Sequence, residues 1–176
     1  LSMEQTEATL VGRSRYGETS LIVQWCAPEA GLFRTIAKGA LRPKSPLAQR
    51  LDLFVTADLR WVRSRKSDLH TLAEANWSNP RLGLRESYGR VLAATYLVRL
   101  VERCVEPQAA IPGIYDLLAR ALDYLAGREP TLALVERFEL RLAEDLGIAT
   151  AADAGQSGHL LETAFHLRLP VQRRQL

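Results

Sequence analysis

A chain of 176 residues with about 47% hydrophobic content reads as a globular protein of one large or two small domains, with material for a sizeable core. Its formal net charge of +3 names no partner. Two widely separated cysteines without a CxxC exclude a disulfide framework or zinc cage, and no run of eighteen apolar residues exists to cross a membrane.

The distribution of charge says more than its sum. Between Lys38 and Lys66 stand eight Lys/Arg and two acids, while the remainder holds fifteen bases against eighteen acids. A basic block sits in an otherwise acidic chain.

In chain order, residues 6–15 are a plausible first strand, closed by the turn Tyr16-Gly17-Glu18. Residues 19–27 alternate, with Leu21, Val23 and Trp25 on one face and Ser20, Gln24 and Cys26 on the other. Pro28–Gly31 turns the chain into a short strand over 31–38. A Gly39–Pro46 loop follows, in which Ser45-Pro46 can cap a single helical turn. Residues 51–63 alternate again, with Leu51, Leu53, Val55, Ala57, Leu59 and Trp61 facing the core. Ser64–Ser67 is a turn, and 68–76 a fifth strand.

Five short strands in fewer than 80 residues bury little as an open sheet. Closure into a barrel removes the edges, most economically as an OB-fold, with an SH3-like barrel as the competing closure. After Asn79-Pro80, predicted as N-cap and N1, the period becomes helical. Residues 85–106 are apolar nearly all round and read as a central buried helix. Ile114 through Leu125 form an amphipathic helix stopped by Gly127, and Leu132 through Leu146 a third, ended by Gly147. Residues 148–158 read as a loop, and 159–169 as a last helix ended by Pro170. The fold class is therefore mixed with α and β segregated: a five-stranded OB-fold β-barrel over 1–78, then an all-α helical domain over 79–176.

Nothing in the residue pattern argues for an enzyme. His70, His159 and His166 lie in separate contexts, and no nucleophile elbow or P-loop occurs. Cys26 and Cys104 sit in apolar settings suited to core filler. Acid pairs such as Glu102/Glu106 and Glu136/Glu139 read as solvated helix faces.

The basic block reads differently. It falls on a loop and strand ends of a small barrel, from which side chains can track a polyanion. Trp25 and Trp61 have core parity, so Phe33, Phe54 and Tyr16 are the candidate stacking aromatics. Ten residues are candidates for nucleic-acid contact: Arg13, Arg15, Arg34, Lys38, Arg42, Lys44, Arg50, Arg63, Arg65 and Lys66.

The ordered set Leu10-Val11-Gly12-Arg13-Ser14-Arg15-Tyr16-Gly17-Glu18-Thr19-Ser20, Gly31, Ala37-Lys38-Gly39-Ala40, Lys44-Ser45-Pro46-Leu47, Leu51-Asp52-Leu53-Phe54 and Asp68-Leu69-His70-Thr71-Leu72 resembles the RecO family of bacterial recombination mediators. The resemblance runs from about residue 6 to about residue 148. It implies a cytoplasmic, nucleoid-associated protein that binds single- and double-stranded DNA and anneals complementary strands. It further implies work with RecR to load RecA onto DNA coated by the single-strand-binding protein SSB, whose acidic C-terminal tail meets the helical domain.

Lys38 and Lys44 fall on the family's lysine-glycine and lysine-serine loop pattern, which assigns them DNA contact. The other cations come from charge and position. Arg99, Arg103 and Arg120 are candidate receivers of the acidic tail. Many members carry a four-cysteine zinc site after the third helix; that region has no cysteine here, so no zinc or other cofactor is expected. Two further readings are an adaptor whose main role is tail binding, and an unrelated OB-type RNA binder.

Overall fold

The computed structural model describes residues 2–176. The chain divides into two compact units. One comprises the chain up to Pro80 together with Pro107–Pro112, the other Arg81–Glu106 together with Gly113–Leu176.

The first unit is built on five strands: β1 (Met3–Tyr16), β2 (Ser20–Ala27), β3 (Gly31–Ala37), β4 (Thr56–Val62) and β5 (Leu69–Asn79). They close in the order β1-β2-β3-β5-β4, with β4 returning to β1. Closure depends on the length of β1. Its first half pairs with β4 from Met3↔Val62 to Thr9↔Thr56, and its second half with β2 from Thr9↔Cys26 to Tyr16↔Ser20. A bulge between Leu10 and Gly12 bends the strand from one partner to the other. β3 and β5 pair in parallel, the others antiparallel. This is the Greek-key order of an OB-fold, and it replaces the SH3-like alternative.

The alternation anticipated for the core holds at both tryptophans. Trp25 and Trp61 are buried with Leu10, Val23 and Leu59. Trp25 Nε1 donates to Thr35 Oγ1 at 2.9 Å, which satisfies its one polar atom inside the barrel. Phe33, anticipated as an outward aromatic, is buried and stacks on Trp61 at 4.8 Å. In β3 the inward residues are Phe33, Thr35 and Ala37, while Arg34 between them is exposed.

Residues 51–63 are not one strand. β4 begins only at Thr56, and Leu51–Val55 is a connection folded back onto the bulge of β1. There Phe54 N–H donates to the Leu10 carbonyl at 2.8 Å, and Leu10 N–H to that of Val55 at 2.8 Å. Phe54 takes the left-handed conformation, φ 68°, and is buried, so it too offers no stacking face. The apolar alternation through this stretch is a loop anchoring itself by successive buried residues.

The segment Pro107–Pro112 packs on the turn between β2 and β3. Gln108 N–H donates to Leu32 O at 2.9 Å and Ile111 N–H to Pro28 O at 2.7 Å. Gly31 is required there: its φ is +63°, and a Cβ would stand 2.1 Å from the Ala109 carbonyl oxygen.

In the second unit four helices are present: α1 (Tyr88–Cys104), α2 (Pro112–Gly127), α3 (Leu132–Asp145) and α4 (Ser157–Phe165). The helical part does not start at Asn79-Pro80. β5 runs on to Asn79, paired with Thr56, and Arg81 is left-handed. A 3-10 turn over Leu82–Glu86 precedes Ser87, the residue before α1. Thr131 caps α3 by accepting from Leu134 N–H at 3.2 Å, and Gly147 (φ 74°) follows its end. The stretch read as a loop contains a 3-10 turn over Ala151–Asp153. α4 starts at Ser157 and stops at left-handed His166, short of Pro170.

One carboxylate at a position read as a solvated face is buried instead. Glu139 on α3 is 1% exposed and accepts from Tyr96 O–H of α1 at 2.6 Å and from Arg173 Nε at 2.7 Å. A fully paired charge here ties three segments of the helical unit together.

Candidate nucleic-acid interface

The connection between β3 and β4 carries the most open charge. It is tethered at both ends to the barrel. Leu41 N–H donates to Thr19 O at 2.8 Å and Gly39 N–H to Ser20 Oγ at 3.2 Å, which fastens the loop to the β1–β2 turn. Gly39 turns at φ 65°. Ser45 Oγ accepts from Leu47 N–H at 3.2 Å, and Ala48 N–H reaches Ser45 O at 3.1 Å. Ser45 thus caps a pair of tight turns, and no regular helix forms. Ala40, Leu47 and Leu51 are buried anchors, which leaves Lys38, Arg42 and Lys44 to point into solvent.

The ten candidate cations separate by what holds them. Arg13 donates to the Leu51 carbonyl and lies 3.7 Å from Asp52. Arg15 donates to Glu18 O at 2.9 Å, within the β1–β2 turn. Arg50 reaches Ala75 O at 3.2 Å and also Asn76 Oδ1. Arg63 is 3.5 Å from Glu4 and stands over the Trp61 ring at 5.0 Å. Among the described residues, the side chains of Arg34, Lys38, Arg42, Lys44, Arg65 and Lys66 make no ion pair or hydrogen bond, and all six are exposed.

The barrel sorts these residues into two groups joined by one strand. Arg13, Arg15, Lys38, Arg42, Lys44 and Arg50 belong to the β1–β2 end and the loop fastened to it. Arg63, Arg65 and Lys66 line a cavity of about 340 Å³ at the β4–β5 turn, with Val62, Ser64, Leu69 and Thr71. β3 joins them: Arg34 pairs with Leu69 at the start of β5, and the strand then delivers the chain to Lys38. Four strand residues span about 13 Å, so the exposed Arg34 and Lys38 stand about that far apart along β3 and its exit.

Of the aromatics, Tyr16 is 53% exposed beside Arg15. Trp77 is 41% exposed on β5. The strand was predicted to end at residue 76, one position short of it.

His70 is the titratable group inside the barrel. It is buried, stacked on Trp61 at 4.8 Å, and its Nδ1 accepts from Ser64 N–H at 3.2 Å, so Nε2 carries the proton. Burial, aided by Arg63, lowers its pKa below the usual 6.5. A lowered imidazole pKa contributes stability that is whole above pH 6.5 and is lost as pH falls through the folded-state value. Thermal melts of the barrel unit are therefore expected to drop below pH 6.5, and His70→Phe to flatten that dependence.

Cys26 and Cys104 are buried, and burial pushes the Cys104 thiol up to about 11. Among the described residues no cluster of three His, Cys, Asp or Glu is placed to hold a metal ion, and no helix is long and apolar enough to cross a membrane.

In the helical unit, the three tail-receiving candidates part company. Arg120 lines an open groove of about 920 Å³ between α2 and α3, with Leu117, Ala121, Tyr124, Leu134 and Phe138 as its apolar floor. Arg137 and Arg141 line the same groove and were not singled out from sequence. Their i, i+4 spacing around Phe138 was the available signal. Arg120 is held 3.0 Å from Asp116 and Arg141 3.1 Å from Glu144. Arg99 and Arg103 do not line the groove. They flank Glu102, whose carboxyl burial raises despite both arginines, and Arg103 donates to the Arg168 carbonyl.

Comparison with known proteins matches both halves of this arrangement. Residues 2–81 match the family model for the recombination protein O N terminal, and residues 85–157 that for the recombination protein O C terminal. The chain is 31% identical over 153 residues to the DNA repair protein RecO of Salinibacter ruber, covering 86% of this chain and 59% of that protein. It is 32% identical over 152 residues to the DNA repair protein RecO of Chromobacterium violaceum, covering 86% of this chain and 60% of that one. The chain thus spans about 60% of the length of these curated relatives. Membership replaces the alternative of an unrelated RNA-binding barrel. With a Greek-key barrel and a helical unit each matched by its own half of the family, the chain belongs to the recombination protein O family.

Proposed function

We propose that this chain is a DNA-binding recombination mediator. It holds single- and double-stranded DNA on the barrel, anneals complementary strands, and acts with RecR to load RecA onto SSB-coated DNA in bacterial recombinational repair. The observation that carries this reading is the β3–β4 loop. Its backbone is fastened to the β1–β2 turn while Lys38, Arg42 and Lys44 stay without protein partners among the described residues. Cations left open on a tethered loop neutralise phosphates without a large ordering cost. Annealing follows if the same surface screens two mutually repelling strands. Contacts of this kind position a strand without reading it, so little base preference is expected. Gel shifts with single-stranded DNA over a range of salt test the reading.

The adaptor role is supported by a separate observation, the α2–α3 groove. Its apolar floor and three arginines suit a short acidic peptide ending in an aromatic residue, the chemistry of the SSB tail. Titration of an acidic, Phe-ended peptide is expected to saturate in the micromolar range, and Arg137→Ala/Arg141→Ala to weaken it about tenfold or more. Peptide affinity unchanged in the double variant places the tail elsewhere.

A further inference from the structure

We propose that Trp77 is a stacking platform for an unpaired nucleobase, set at the end of the basic loop. The inference rests on the nucleic-acid reading above and adds to it the class of group, a base rather than a phosphate, that one particular side chain receives.

Trp77 is unlike the other two tryptophans. Trp25 and Trp61 are buried in the barrel, whereas Trp77 is two-fifths exposed. By alternation from buried Ala75, and by its pairing with buried Ala57, it belongs to the inward set. The β4–β5 register slips between Thr56 and Ala57, directly at this pair, and the ring ends up partly in the open. Leaving so large an apolar ring unburied forgoes stabilisation that a core position would provide.

The ring is nevertheless fixed. Its Nε1 donates to the Arg50 carbonyl at 2.7 Å. Arg50 in turn reaches Ala75 O at 3.2 Å and Asn76 Oδ1, so its guanidinium is held on the same strand, one and two residues before Trp77. The indole's polar edge is satisfied, its orientation is set in advance, and a cation stands beside it. What remains to be offered to a ligand is apolar ring surface. A fixed aromatic surface with a neighbouring cation at the end of a basic loop is the pairing that single-strand binders use, with stacking for the base and positive charge for the backbone. The neighbouring positive charge selects, as the occupant, a base carried on a phosphate backbone over an uncharged apolar peptide side chain.

The three tryptophans make this directly measurable, since the exposed one can meet a base while the two buried ones cannot. The whole chain is titrated with a single-stranded thymidine oligonucleotide and with an abasic oligonucleotide of equal length, and both binding and tryptophan emission are followed. The thymidine strand is expected to quench emission on binding, and the abasic strand to bind through its phosphates with little quenching. Trp77→Ala is expected to lose about five- to a hundredfold in affinity for the thymidine strand, with its salt slope unchanged. Trp77→Phe, which keeps a ring, is expected to retain most of the affinity. Binding of the thymidine strand without quenching in the unmodified protein overturns the platform and leaves DNA binding standing. Wild-type affinity in Trp77→Ala does the same. If neither oligonucleotide binds, the nucleic-acid reading itself fails, and the platform with it.

Discussion

Reversing charge at Lys38 and Lys44 together is expected to cut single-strand affinity about 60-fold near 50 mM salt and only about tenfold near 200 mM, because each lost phosphate contact removes about 0.7 from the log–log salt slope. The two side chains are exposed, and among the described residues they have no protein partner to lose, so folding is not expected to suffer. The loop keeps its course through backbone hydrogen bonds from Leu41 and Gly39 to the β1–β2 turn, none of which uses a lysine side chain. The defect should therefore appear in binding and in annealing, with an unchanged melting temperature. It should also shrink as salt rises, the mark of lost electrostatics rather than lost shape. Arg50→Glu at the far end of the loop is a different experiment. Its guanidinium holds Ala75 and Asn76, so that change is expected to disturb β5 as well as charge.

Glu139→Ala is expected to destabilise the helical unit by about 2–4 kcal/mol, because it leaves the buried Tyr96 hydroxyl without its acceptor and takes the carboxylate partner from the partly exposed Arg173 guanidinium. Glu139 is the shared acceptor for Tyr96 O–H and Arg173 Nε. Burial, and next the Glu139 carboxylate, push the Tyr96 hydroxyl pKa well above its ordinary value of 10, so Tyr96 remains a donor throughout the working pH range. At about 2–4 °C per kcal/mol for a chain of this size, the melting transition should fall by roughly 4–16 °C. Tyr96→Phe removes one of the two donors and should cost only about 1–2 kcal/mol. Chemical denaturation followed by circular dichroism, which reports the helices, checks both. Equal stability in Glu139→Ala and the unmodified protein contradicts the buried pairing.

The barrel was legible because a closed sheet forces alternation. Trp25 and Trp61 lie on the face their parity assigned. The same rule misled at Phe33 and Phe54. Strand β3 is short and begins with three buried residues in a row, so parity alone does not say which of Leu32 and Phe33 faces the core. Phe54 lies in a loop whose left-handed backbone carries no strand period at all. The start of the helical part was misplaced for a related reason. Asn79-Pro80 has the composition of a helix start, but pairing of Asn79 with Thr56 keeps it in the sheet, and tertiary pairing outranks a local cap signal.

For the candidate site, composition located the basic block but could not separate open cations from committed ones. That difference lies in long-range partners: Arg13 meets Leu51 and Asp52, Arg50 meets Ala75, Arg63 meets Glu4. Glu139 was hidden in the same way, since its partner Tyr96 stands 43 residues away in the chain. Trp77 escaped because it is one residue past the predicted end of a strand, where a register slip rather than a sequence pattern decides its exposure.

The central claim is that the tethered loop and the strand leading to it hold a nucleic-acid backbone. Its most direct test is the affinity of the intact chain for single-stranded DNA as a function of salt. With about four to six phosphates neutralised, log K against log salt is expected to fall with a slope of roughly −3 to −4, and to flatten by about 1.4 when Lys38 and Lys44 are both reversed. No measurable binding at low salt, or a slope that the double reversal leaves unchanged, contradicts the claim.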